Sequence, residues 1–173
     1  MMVPSEWRAV HNPWLRDEGL ARVLILRGAI LWSYSHVERR LLDFAVRCSR
    51  EDEYRDITDK CPFLRKARIS YIRKVLDSDG PLAPFKGLGE AILKRYETGA
   101  EIRNQMAHAD IDFLGLGLTR FYELTPDGGG KTVTERTFNF EPGKLERQAV
   151  KAARLSKAVQ RLHYKMFGDA PLE

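Results

Sequence analysis

The segment Glu101-Ile102-Arg103-Asn104-Gln105-Met106-Ala107-His108 carries the side chains best suited to chemistry. On a helix, Glu101, Asn104 and His108 stand at i, i+3 and i+7 and line one face. Arg103 precedes His108 by five residues, about 140° around a helix that turns about 100° per residue. Arg103 and His108 therefore flank a broad polar face. These residue types suit phosphodiester cleavage. A neutral imidazole takes a proton from a ribose 2′-hydroxyl, and an imidazolium protonates a leaving oxygen. A guanidinium holds a phosphate bidentately and stabilises charge that develops at phosphorus. The Asn104 amide orients His108 or binds a phosphate oxygen, and Glu101 supports the set. No metal is required, the sequence shows no carboxylate cluster to hold one, and no cofactor is implied. A plainer reading stays open, in which Arg103 forms an ordinary ion pair and His108 is a helix-end histidine bonded to Asp110. An Arg five residues before a His arises readily by chance in an Arg-rich chain.

The elements that must position these residues are mostly helical in pattern. A first helix is expected from Pro13 to about Glu53, with Val23, Ile30, Tyr34, Val37, Leu41, Phe44 and Cys48 at spacings of three, four and seven. Leu24, Leu31, Leu42 and Ala45 add a second apolar row, which marks a central helix. Gly28 inside it lowers helix propensity and invites a close neighbour. After a connection over Asp52 to Pro62, a second helix runs from Phe63 to Asp77 and stops at Asp79-Gly80-Pro81. A third, from about Phe85 to Ala109, carries the motif. Ile102 and Met106 form its packing edge, and Gly99 on that edge permits close helix approach. Between Asp112 and Phe140 the periodicity changes. Leu114, Leu116 and Leu118, then Thr132 to Phe140, alternate around Asp127-Gly128-Gly129-Gly130, which signals a β-hairpin. A last helix spans about Pro142 to Phe167. The expected fold class is mainly all-α: a single domain over residues 1–173, an up-and-down helical bundle of about four main helices, with a β-hairpin inserted at 112–140 before the last.

Other features carry two readings each. Glu38 falls on an apolar row and needs a partner if buried. Either it pairs with Arg103 and positions that guanidinium, or it meets Arg39 or another cation, or lies at the surface. The last helix bears a basic stripe of Lys144, Arg147, Lys151, Arg154, Lys157, Arg161 and Lys165. Lys151, Arg154 and Arg161 are the candidates for RNA contact, against the plainer reading of a solvated face. The run Arg65, Lys66, Arg68, Arg73 and Lys74 carries the same choice. Trp7, Trp14 and Trp32 fit core or interface packing better than base stacking. His36 is read as a surface or core residue rather than a second functional histidine. His11 and His163 have no legible context.

Composition bounds the classes. The formal net charge is +5, a mild excess that favours anionic partners without proving one. Cys48 and Cys61 form no zinc-type spacing and read as two free thiols, their redox state open. The first residues show no signal-peptide pattern. The apolar stretch Val23 to Trp32 is interrupted by Arg27 and far too short to span a bilayer. A soluble, cytoplasmic protein with no membrane partner is expected.

Arg103-Asn104-Gln105-Met106-Ala107-His108 resembles the signature of the HEPN family: an Arg, a polar residue directly after it, and a His after a short helical interval. Its place on a late helix, and the segment Ser35-His36-Val37-Glu38-Arg39-Arg40-Leu41 on a long first helix, are similar to that family too. The resemblance implies a metal-independent endoribonuclease, often a toxin or antiviral effector with an antitoxin partner. It also implies a homodimer in which two Arg/His motifs face one cleft that takes RNA. The hairpin at 112–140 departs from the minimal four-helix form. The alternatives are a non-catalytic HEPN-like module that binds nucleotide, RNA or a protein, and a purely structural homodimer.

Overall fold

The computed structural model describes residues 18–58, 61–113, 118–126, 133–140 and 143–168. The expected lead-in, the first turn at Pro13, Trp7, His11, Trp14, Leu114, Leu116 and the glycine-rich hairpin tip lie outside them. The chain is mostly helical, with a small antiparallel sheet before the last helix. Its elements are α1 (Glu18–Cys48), α2 (Arg65–Asp77), α3 (Lys86–Thr98), α4 (Ala100–His108), β1 (Asp110–Phe113), β2 (Thr119–Pro126), β3 (Val133–Phe140) and α5 (Lys144–Phe167). No helix among the described residues is long and apolar enough to cross a membrane.

Four boundaries differ from the expectation, each for a local reason. The first helix ends at Cys48 rather than Glu53, because Arg50 and Glu51 donate back to the carbonyls of Arg47 and Cys48, three residues earlier. That tightening leads into a 3-10 turn at Asp52–Ile57, so the expected connection is structured. Its Tyr54 is buried, and the Leu82 N–H donates to the Tyr54 hydroxyl at 3.3 Å. The second helix starts at Arg65, which leaves Phe63 and Leu64 exposed. The third helix is two helices, interrupted at Gly99. The inserted β unit has three strands in the order β1-β2-β3 instead of a two-stranded hairpin.

The sheet register explains the added strand. Thr119–Pro126 pairs with Val133–Phe140 on one side and Asp110–Phe113 on the other, with Phe121 opposite both Ile111 and Phe138. Thr119, Phe121, Phe138 and Phe140 fall on one face by the two-residue period of strands. Thr119, Phe121 and Phe140 on that face are buried, and the Phe121 and Phe140 rings meet edge to face at 5.2 Å. The Asp-Ile-Asp-Phe strand was hard to foresee, since four residues offer only two alternations.

The chain divides into two compact units. One takes the residues through Leu31 with Glu101–Lys151; the other takes Trp32–Ala100 with the residues from Ala152 on. In the first unit the buried residues include Val23, Ile30, Met106, Ala109, Phe121, Phe140, Leu145 and Ala149. In the second they include Val37, Phe44, Cys48, Ile72, Val75, Ile92, Leu93, Tyr96, Leu155 and Val159. Cys48 and Cys61 are free thiols, and burial, aided by the nearby Glu51 carboxylate, pushes the Cys48 thiol up to about 12.

Two glycines behave oppositely. Gly28 is exposed, and a Cβ there would meet nothing, so its expected role in helix approach is overturned. Gly99 does fill that role: a Cβ on it would collide with the Tyr34 hydroxyl. Gly28→Ala is therefore expected to stabilise the protein by roughly 0.5–1 kcal/mol, the helix-propensity difference. Gly99→Ala is expected to destabilise it by about 1–3 kcal/mol through overpacking. Urea midpoints of the two variants beside the parent test the contrast, and shifts of the same sign would refute it.

Candidate functional site

All four α4 candidates lie in the first unit. The short α4 keeps its helical bonding through the Gln105 carbonyl and then meets a side-chain donor. The Ala109 N–H donates to the Gln105 carbonyl at 3.0 Å, and Arg27 Nε donates to the Met106 carbonyl at 2.6 Å. Arg27, the cation that interrupts the longest apolar stretch, thus caps the C-terminal end of α4 and complements its negative dipole end. Gln105 and Met106 are buried, with Met106 at 0 % exposure, which fixes the opposite side of the helix. The expected packing edge is therefore real for Met106, while Ile102 is half-buried.

That anchoring decides which side chains reach solvent. Glu101, Asn104 and His108 are exposed, as their i, i+3, i+7 spacing requires, and Arg103 is half-buried. Arg103 Nη1 donates to Asn104 Oδ1 at 2.9 Å. The amide oxygen of Asn104 thus accepts from the guanidinium, a contact beyond the two roles expected for it, orienting His108 or binding a phosphate oxygen. Among the described residues, no group of three His, Cys, Asp or Glu gathers at metal-binding range.

The remaining candidates are placed as follows. Glu38 lies in the second unit, half-buried, and accepts a hydrogen bond from Tyr96 Oη at 2.9 Å. The Arg65 guanidinium stacks over the Tyr96 ring at 4.7 Å. Lys151, Arg154 and Arg161 are exposed, as are the other cations of the α5 stripe. The earlier basic run is largely occupied within the fold. Arg73 binds the carboxylates of both Glu90 and Glu97, which raise its pKa, and its guanidinium in turn lowers that of Glu90. Arg68 donates to the backbone carbonyls of Glu38, Pro62 and Phe63. Trp32, expected to pack in a core or an interface, is 68 % exposed and stacks on His36 with ring centroids 5.7 Å apart.

Sequence reasoning missed a polar seam in the second unit. His36 Nδ1 and Ser156 Oγ share a hydrogen bond of 2.8 Å. His163 is buried with Nε2 2.6 Å from Asp43 Oδ2, and Arg47 Nε reaches the same oxygen at 3.2 Å. The signal was available: Arg40 stands three residues after Val37 and four before Phe44, and Ser156 and His163 border the α5 apolar stripe. Burial lowers the His163 pKa, with Arg40 and Arg47 adding to it and Asp43 opposing. Burial, then Arg40 and Arg39, lower that of His36. A histidine whose folded pKa lies below its unfolded value of about 6.5 holds the fold best while neutral. Stability is therefore expected to be full above pH 6.5 and to fall as the pH drops from there toward the lowered folded values. Urea unfolding at pH 7.5 and 5.5 tests this, and a higher midpoint at 5.5 would contradict it.

No family model, no curated protein and no solved structure matches the chain.

Proposed function

We propose that the protein is a metal-independent endoribonuclease of the HEPN type. It acts in the cytoplasm as a homodimer, in a toxin-antitoxin or antiviral setting. The observation that carries this reading is the exposure of Asn104 and His108 on the same short helix as Arg103, so that a phosphate can approach them. In the proposed reaction, neutral His108 takes the proton of a ribose 2′-hydroxyl, and the freed oxygen attacks the adjacent phosphorus. A 2′,3′-cyclic phosphate forms as the P–O5′ bond breaks, and the departing 5′-oxygen receives a proton from an imidazolium of the paired motif. Arg103 binds the scissile phosphate and stabilises its developing charge. Asn104 holds Arg103, Glu101 supports the polar face, and Lys151, Arg154 and Arg161 contact the RNA backbone.

The Arg103–Asn104 bond also favours a second reading, a non-catalytic module of HEPN type whose guanidinium is held ready to bind nucleotide, RNA or a protein. One experiment separates them. The protein is incubated with RNA in EDTA beside His108→Ala and Arg103→Ala. The first reading expects cleavage that survives chelation, leaves 2′,3′-cyclic ends and vanishes in both variants. RNA binding without cleavage favours the module, and equal cleavage by all three proteins points to a contaminant.

A further inference from the structure

Within the second unit, an open cavity of about 460 Å³ lies against the C-terminal half of α5. Four cations line it: Arg40, Lys157, Arg161 and Lys165. None of the described lining residues carries a carboxylate. The acid next to this seam, Asp43, is already engaged by Arg47 and His163. Three of the four cations are exposed, but Arg40 is only 5 % exposed, and its Nε is buried without a hydrogen-bond partner. A buried guanidinium nitrogen without a partner is costly, because its desolvation is not offset. The fold keeps that cation beside a cavity, where an incoming anion supplies what the protein itself does not.

We infer that this cavity binds a phosphomonoester, with Arg40 gripping the phosphate and Lys157, Arg161 and Lys165 neutralising the rest of its charge. Four cations, with no acid among the described lining residues, call for more than one negative charge, and a phosphomonoester carries about −1.5 to −2 at pH 7. The arginine fork matches two phosphate oxygens. The volume falls in the range of ligand sites, about 300–1,000 Å³. It leaves room for an organic remainder beside the Tyr164 ring and the Gln160 amide. A phosphodiester backbone lying along the exposed α5 stripe would meet the lysines but not the buried Arg40. A terminal phosphate projects from its ligand and reaches it. This site uses none of the α4 motif and stands whether or not the protein cleaves RNA.

Calorimetric titration of the full chain tests the assignment. The probes are inorganic phosphate, adenosine 5′-monophosphate, adenosine, and a single-stranded DNA oligonucleotide with and without a 5′-phosphate. The DNA lacks the 2′-hydroxyl and resists cleavage. Phosphate and the monophosphate are expected to bind, adenosine is not, and the 5′-phosphate is expected to tighten oligonucleotide binding by about ten-fold or more. Tighter binding of the free monophosphate than of the phosphorylated oligonucleotide would assign the site to a small metabolite, and the reverse order to a nucleic-acid end. Lys157→Ser, at an exposed position, is expected to weaken the monophosphate by about ten-fold without changing the circular dichroism. Arg40→Met is expected to abolish binding and, by removing a buried guanidinium whose Nε has no partner, to raise the Tm of the ligand-free protein. The inference is overturned if the monophosphate gives no binding at millimolar concentration or if both oligonucleotides bind equally. It is overturned equally if Arg40→Met lowers the Tm and retains the phosphate response.

Discussion

His108→Ala is expected to slow RNA cleavage by about 10²–10⁴-fold, the usual contribution of a positioned general acid or base. Arg103→Ala is expected to cost about 10²–10³-fold, as loss of a donor to a developing oxyanion does. The His108 effect should fall on kcat, since protons move only in the transition state, whereas Arg103, which also holds the phosphate before reaction, should change both kcat and KM. The double variant should be little slower than His108→Ala alone, because groups that serve one step are not additive. Lys151→Ala and Arg154→Ala should behave differently. Each is expected to raise KM, leave kcat near the parent value, and reduce the salt slope of binding by about one. Single-turnover rates and binding at two salt concentrations make the comparison. A His108→Ala protein that cleaves within about three-fold of the parent would remove the imidazole from the reaction.

Phe121→Ala is expected to cost about 3–5 kcal/mol, the range for truncating a fully buried phenylalanine. Phe121 has no exposure, meets the Phe140 ring edge to face at 5.2 Å, and sits opposite Ile111 and Phe138 in the register. It is the central residue of the buried sheet face, flanked by a strand on each side, so a cavity there cannot collapse onto solvent. Domains of this size have only about 5–15 kcal/mol in all. The truncation therefore consumes a large share of the total, and the urea midpoint should fall accordingly. Phe121→Leu should cost less because it leaves less empty volume. A loss below about 1 kcal/mol for the alanine variant would show that the sheet adds little to the fold.

Long periodic patterns were legible in the sequence; short ones and breaks were not. The run from Val23 to Cys48 marked α1, and Leu145, Ala149, Ala152, Leu155, Val159 and Leu162, apolar at spacings of three and four, marked α5, because many turns average out local exceptions. The break at Gly99 was concealed, since the apolar spacing continues through Ile92, Tyr96, Ile102 and Met106 on both sides of it. Only the three-dimensional position of the Tyr34 hydroxyl explains why that glycine is needed. Within the candidate site, the exposed face of Glu101, Asn104 and His108 followed from helical spacing. The Arg27 cap did not, because it joins residues far apart in sequence. Arg40 shows the opposite case. Its position between Val37 and Phe44 announced burial, but the sequence names no group that would meet its charge.

Neither compact unit is a continuous stretch of chain. A ribosome delivers the residues through Leu31 first, yet their companions from Glu101 emerge only after all of Trp32–Ala100 has been made. At roughly 5–20 residues per second that delay lasts several seconds. The Trp32–Ala100 segment in turn waits for its closing helical turns after Ala152. Val23 and Ile30, buried in the finished fold, therefore lack their partners in that unit until Glu101–Lys151 has been made, so this part of the fold closes only late in synthesis of the segment.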